Sequence, residues 1–241
     1  MNLILDIGNT RIKIGLIQKE DIIFTKTLNR LTNDDLVNLF TDYKINKAII
    51  SAVSEVDSTI LDFIQSHTKK LMELNSDSPL PIEIIYKTKL TLGNDRIAAA
   101  VGANNIFPSS NVLIIDAGTA ITYDFINNEN QYLGGNISPG LRMRFHALHE
   151  FTHKLPLLEP LDNEMLTGNS TEQAIISGVQ KGMIFEIDNY INEYQKKYPG
   201  CKIIMTGGDA IFFDKKLKNS IFVNLNLVTV GLNRILEYNA E

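Results

Sequence analysis

Short apolar runs bounded by turn residues open the chain. LILDI, IKIGLI and IIFTKT are β-branched segments of strand length, and TNDDLVNLF then places apolar residues at helical spacing behind a Thr/Asn capping signal. This pattern predicts three strands followed by a helix. KAIISAV reads as a buried strand, STILDFIQSHTKKL as an amphipathic helix, PIEIIY as a strand and DRIAAAVGANNIF as an alanine-rich helix closed by Pro108. The series then restarts. NVLIIDAG, TAITYDFI and QYLGGNIS predict three more strands, GLRMRFHALHEF and EQAIISGVQKGMIFEIDNYINEYQKKY predict helices, CKIIMTGG and SIFVN strands, and VTVGLNRILEY a closing helix. The two halves share an order, so an α/β chain dividing in the NNIFPSSN loop into lobes 1–108 and 109–241 is expected.

Composition narrows the class. A chain of 241 residues can bury most of its apolar surface in one large or two small domains. The single cysteine, Cys201, cannot form an internal disulfide, and MNLILDIGNT shows no basic segment followed by an apolar signal core. No apolar run approaches the roughly 20 residues that span a bilayer, so a cytoplasmic protein without membrane residence is expected. Charged residues are scattered, and the net charge of -5 opposes the broad basic face of a nucleic-acid binder.

The repeat carries the candidate chemistry. Asp6-Ile7-Gly8-Asn9-Thr10 and Asp116-Ala117-Gly118-Thr119-Ala120 each run an apolar strand into an aspartate, a glycine and a threonine before another strand begins. A glycine at such a turn lets the backbone approach a ligand, its neighbouring N–H groups suit phosphate oxygens, and the aspartate can hold a cation. Either copy alone reads equally as an ordinary hairpin turn. Two copies at corresponding places favour one nucleotide clamped from both sides of a cleft. TGGDA, from Thr206 to Ala210, adds a third glycine stretch after a strand. The sequence holds no G-x-x-x-x-G-K-[ST], so phosphates are not held by a Walker loop.

DIGNT and DAGTA resemble the actin-like and sugar-kinase superfamily of duplicated ribonuclease-H-like domains. Tyr86, GNDR, DAGTAITYD, GGNISPGLRMR, HEFTHKLP, GNSTEQAIISG, TGGDA and VTVGLN, in this order, make the chain similar to type III pantothenate kinases over nearly its whole length. The resemblance implies an ATP-dependent phosphorylation of pantothenate by a homodimer, with Mg2+ and a monovalent cation, K+ or ammonium. It assigns Asp6, Ile7, Gly8, Asn9, Thr10, Arg11, Ile12 and Lys13 to the first ATP phosphate loop, with Asp6 holding Mg2+ through water. It makes Thr119 an ATP contact, Asp116 the monovalent-cation ligand and Asp95 the proton acceptor. Tyr86, Gly93, Asn94, Asp95, Arg96 and Thr171 then contact pantothenate. An ionised aspartate is a weak base, which suits a loose transition state that needs alignment and charge neutralisation more than an activated nucleophile.

Each assignment has a plainer counterpart. Asp95 also reads as a cap or first-turn acid of its helix, Arg96 as a surface or dimer-rim arginine, Tyr86 as a packed strand aromatic and Thr171 as a helix cap. His146, His149 and His153 fall at i, i+3 and i+7 on a predicted helix, a spacing that would align three imidazoles, with zinc as one reading and a helix beside the cleft or dimer seam as the other. Another actin-like phosphotransferase and a non-catalytic regulatory relative are the competing functions.

Overall fold

Burial along Leu3, Ile4 and Leu5 explains why the first strand pairs on both edges. A computed structural model describes residues 1–8, 10–162 and 165–240 of the chain. In it β1 (Asn2–Ile7) runs antiparallel to β2 (Ile12–Gln18) and parallel to β4 (Lys47–Ala52), while β3 (Asp21–Leu28) extends the hairpin beyond β2. Helix α1 (Asn33–Asp42) begins at the expected signal: the Thr32 hydroxyl accepts from the Asp35 N–H at 3.2 Å, and the Asp35 carboxylate accepts from the Thr32 N–H at 3.3 Å. Helix α2 (Ser58–His67) and β5 (Lys70–Glu73) follow, giving a sheet of order β3-β2-β1-β4-β5. The run expected as one helix through KKL therefore splits. Thr68 adopts an extended backbone and Lys70–Glu73 pairs with β4 instead. PIEIIY contributes only β6 (Glu83–Ile84), which pairs with Gln131 and Tyr132. A short 3-10 turn at Lys89–Thr91 then leads into α3 (Asn94–Ile106).

The second series repeats this plan. Strands β7 (Val112–Ala117), β8 (Ala120–Ile126) and β9 (Gln131–Pro139) are followed by α4 (Leu141–Glu150), the 27-residue α5 (Thr171–Lys197), β10 (Lys202–Thr206), α6 (Ala210–Asp214), β11 (Phe222–Val223) and α7 (Leu227–Tyr238). The order β9-β8-β7-β10-β11 matches β3-β2-β1-β4-β5 strand for strand, including the antiparallel first hairpin and the parallel crossovers. This is the duplicated α/β architecture expected from the two Asp-x-Gly turns. Asp6 lies opposite Lys13 and Ser51, and Asp116 opposite Thr122 and Thr206, so the two aspartates occupy equivalent places in their sheets.

The chain forms two compact units. The first comprises 1–108, 130–132 and 226–241; the second comprises 109–129 and 133–225. Helix α7 thus returns to the first unit, where Leu232, Ile235 and Leu236 are buried. Its approach to α3 depends on missing side chains. A Cβ at Gly231 would enter the Ala98 carbonyl, and one at Gly102 would enter the Leu227 carbonyl. The first core gathers Leu3, Leu5, Ile14, Leu16, Leu36 and Ile50; the second gathers Ile115, Tyr123, Phe145, Met183, Ile187 and Phe213. No helix among the described residues is long and apolar enough to cross a membrane.

Candidate active site

The first turn is built by the β1–β2 hairpin. Asp6 ends the buried part of β1, Ile7 pairs with Ile12, and the Gly8 N–H donates to the Arg11 carbonyl at 3.0 Å, which leaves Gly8, Thr10 and Arg11 exposed at the tip. Asn9 lies outside the described residues. Burial, and after it the nearby Asp95 carboxylate, push the Asp6 carboxyl up to about 6, with Lys13 and a hydrogen bond from Ser51 opposing the shift. A buried carboxylate with a second carboxylate nearby suits a bound cation.

This arrangement has a measurable consequence. Because the folded state holds the Asp6 proton more tightly than the unfolded chain does, Asp6 favours folding below about pH 4, and that contribution is lost as pH rises through about 6. Asp6→Asn is therefore expected to melt at a higher temperature than the parent at pH 7.5, with the difference shrinking as pH falls toward 4. Thermal melts of both proteins across this range check it; a gap independent of pH would contradict the cause given.

Helix α3 presents the next group. Gly93 is the N-cap and supplies no side chain, so Asp95 sits in the first turn, exposed, with its Oδ1 accepting from the Arg96 N–H at 2.8 Å. A Cβ at Gly93 would collide with that oxygen. Asn94 turns away and donates to the Leu74 carbonyl at 2.9 Å. Arg96 is buried, its guanidinium 5.8 Å from the centre of the half-buried Tyr86 ring, which in turn lies 6.1 Å from the Tyr132 ring. Tyr86 and Arg96 thus form one cluster at the start of α3. The surface reading of Arg96 is excluded by its burial.

The second turn is tighter. The Gly118 N–H donates to the Ala120 carbonyl at 3.1 Å, the Gly140 N–H to the Thr119 carbonyl at 3.1 Å, and the Asp209 N–H to the Ala117 carbonyl at 2.9 Å. Gly207, at φ +96, lies where a Cβ would stand 2.5 Å from Asp116 Oδ1 and from the Ala117 carbonyl group. The TGGDA stretch therefore closes against the DAGTA turn, with no room for a side chain at Gly207 beside Asp116 Oδ1. Thr119 is exposed.

Thr171 is the first residue of α5, but the cap is Ser170, whose hydroxyl accepts from the Gln173 N–H at 3.3 Å. The capping role read for Thr171 thus moves one residue back. Thr171 instead lines a largely apolar cleft of about 750 Å3 with Pro139, Arg144, Phe151, Ile175 and Gly178. The histidine alignment does not form. Helix α4 stops at Glu150, before His153, and His149 Nδ1 bonds with the Leu155 carbonyl at 2.8 Å. Among the described residues no group of three or more His, Cys, Asp or Glu side chains could enclose a metal ion. A divalent cation carried by phosphates and one or two carboxylates needs no such enclosure.

Ser51 escaped sequence reasoning, whereas Gly207 lies in the TGGDA stretch already singled out, without its neighbour Asp116 being legible. Ser51 faces Asp6 only through the parallel pairing of β1 with β4, which no local pattern encodes.

Comparison with known proteins places this geometry in a family. The sequence profile described as type III pantothenate kinase matches residues 2–193. The type III pantothenate kinase of Phocaeicola vulgatus is 45% identical over 239 residues, covering 99% of each chain. That of Cytophaga hutchinsonii is 45% identical over 240 residues, covering 99% of this chain and 100% of its own. Among solved structures, a conserved Campylobacter jejuni protein assigned provisionally to the Baf family of transcriptional activators has a TM-score of 0.59 at 24% identity, covering 99% of this chain and 98% of its own. The activator of the 2-hydroxyisocaproyl-CoA dehydratase from Clostridium difficile, solved with ADPNP, has a TM-score of 0.54 at 16% identity, covering 99% and 96%. These solved structures share the chain's fold. The chain belongs to the type III pantothenate kinase family.

Proposed function

We propose that the protein transfers the terminal phosphoryl group of ATP to the primary hydroxyl of pantothenate, giving 4'-phosphopantothenate in the first step of coenzyme A biosynthesis. Family membership supports the reaction, and the observation that carries the mechanism is an exposed Asp95 at the first turn of α3 beside the Asp6 carboxylate. The pantothenate oxygen forms a bond to the terminal phosphorus, the bond to the bridging oxygen of ADP breaks, and the hydroxyl proton passes to Asp95. Asp95 orients the hydroxyl throughout and accepts its proton late, as a loose transition state requires.

The remaining roles follow the same reading. Asp6 through Lys13 hold ATP phosphates at the exposed hairpin tip, and Thr119 adds a contact from the second turn. Gly93, Asn94, Arg96 and Tyr86 contact pantothenate at the head of α3, and Thr171 contributes from its cleft. Mg2+, when bound, neutralises phosphate charge, and the Asp6 carboxylate, with Asp95 nearby, fits it, Asp6 acting through water. The Asp116 carboxylate, near the end of β7 at the place equivalent to Asp6, would offer its oxygen to K+ or ammonium. A homodimer suits the open face of α5, where a Cβ at Gly178 or Gly182 would meet nothing within 4 Å and Phe185 is half exposed. ATP supply places the reaction in the cytoplasm.

Two experiments bear on this reading. An acceptor panel of pantothenate and several sugars, followed by ADP release, is expected to give turnover on pantothenate alone; turnover on a sugar would keep the fold and discard the substrate. Activity of the parent protein is expected to rise with K+ or ammonium and to need Mg2+, whereas Asp116→Ala is expected to lose the monovalent-cation response. A parent enzyme indifferent to both monovalent ions would remove the role of Asp116.

A further inference from the structure

The Ser138-Pro139-Gly140 segment, where β9 ends and α4 is capped, is held by a chain of polar contacts that the reading above does not use. Arg144 on α4 donates from Nε to the Pro139 carbonyl at 2.8 Å and from Nη2 to Ser138 Oγ at 3.0 Å, and the same Nη2 lies 2.6 Å from Glu186 Oε2 on α5. The other oxygen of Glu186 accepts from the Tyr123 hydroxyl at 3.0 Å; Tyr123 is fully buried and stacks on Tyr190 with ring centres 4.0 Å apart. Next in the chain, the Gly140 N–H donates to the Thr119 carbonyl at 3.1 Å, and a Cβ at Gly140 would enter the carbonyls of Gly118 and Thr119. The segment therefore rests directly on the backbone that carries Thr119.

Arg144 and Glu186 have side chains only 20% and 24% exposed, so their pairing is shielded and geometrically fixed. We propose that Glu186 is a positioning residue for the nucleotide: through Arg144 and Ser138–Gly140 it fixes the Gly118–Thr119 segment against which ATP binds. The inference rests on the assignment of Thr119 to ATP. Arg144 and Pro139 also line the Thr171 cleft, so ATP binding is read without pantothenate present.

Glu186→Gln tests it. The amide retains the size of the side chain and an oxygen for the Tyr123 hydroxyl but loses the ion pair with Arg144. ATP affinity, titrated with Mg2+ and without pantothenate, is expected to weaken by about tenfold, since a displaced positioning group costs on the order of 10- to 100-fold. Arg144→Lys keeps a cation against Glu186 but lacks the planar fork that reaches Ser138 and Pro139 together, and is expected to weaken ATP binding likewise. Tyr123→Phe leaves the Arg144–Glu186 pair intact and is expected to lower thermal stability while preserving ATP affinity. If Glu186→Gln and Arg144→Lys lower the melting temperature but bind ATP as the parent does, the network is structural only and the inference falls. Thr119→Ala separates the two levels: weakened ATP binding there with parent-like binding in Glu186→Gln defeats the positioning role alone, whereas parent-like binding in both defeats the assignment of Thr119 as well.

Discussion

Asp95→Asn is expected to lower kcat by about 10²- to 10⁴-fold, the range that a positioned proton acceptor contributes. The asparagine amide matches the carboxylate in shape, so the start of α3 is retained and pantothenate still binds. What disappears is the capacity to take the hydroxyl proton. The substitution also removes the negative charge that raises Asp6. Asp6 then ionises more readily, so Mg2+ and ATP are expected to bind at least as well as in the parent. Steady-state kinetics should therefore show the loss in kcat with the KM for ATP unchanged or lower, the pattern of an interaction made in the transition state. Parent-like turnover would remove the proton-acceptor assignment and return Asp95 to a first-turn acid that complements the helix dipole.

The largest effect on stability is expected at a residue with no chemical role. Gly231→Ala would place a methyl group inside the carbonyl of Ala98, at the crossing of α7 and α3. A backbone group inside a buried helix cannot step aside as a flexible side-chain end can. Overpacking of cores costs about 1–3 kcal/mol and sometimes more, and a blocked backbone puts this substitution at the upper end. In a protein of this size about 3 kcal/mol corresponds to a fall in melting temperature of roughly 10 °C. Gly208→Ala, where a Cβ would meet nothing within 4 Å, is the control and is expected to leave the melting temperature nearly unchanged. A small change in Gly231→Ala would mean that the two helices separate more easily than their packing indicates.

Much of this architecture was legible as pattern. Strands such as LILDI and VLIIDA are apolar on both faces because both their edges and faces are buried, and their repetition with an Asp-x-Gly turn announces the duplication before any coordinates. Local capping was legible where side chain and backbone agree, as at Thr32. It misled at Thr171, because Ser and Thr stand side by side and both can cap, and the backbone places Ser170, the better cap, at that position. The continuation of α2 into Lys70–Glu73 failed for a different reason. KKLME carries helix formers, and its strand pairing with β4 is a tertiary choice. The histidine stripe failed because α4 ends four residues after His146.

The candidate site divides in the same way. Asp6, Asp95 and Asp116 stand in short motifs, so the sequence alone singled them out. Ser51, Gly207, Arg144 and Glu186 matter through partners distant in the chain: Gly207 because Asp116 and Ala117 occupy its side-chain space, and Arg144 because Glu186 lies 42 residues away in sequence but 2.6 Å away in space. No periodicity reports such pairs.

The central claim is the transfer of phosphate to pantothenate. Its most direct test is to incubate the purified protein with ATP, Mg2+ and K+, with and without pantothenate, and to follow ADP while identifying the product by mass. Pantothenate-dependent ADP release with stoichiometric phosphopantothenate is the expected result; a protein that binds ATP yet forms no phosphopantothenate would contradict the account.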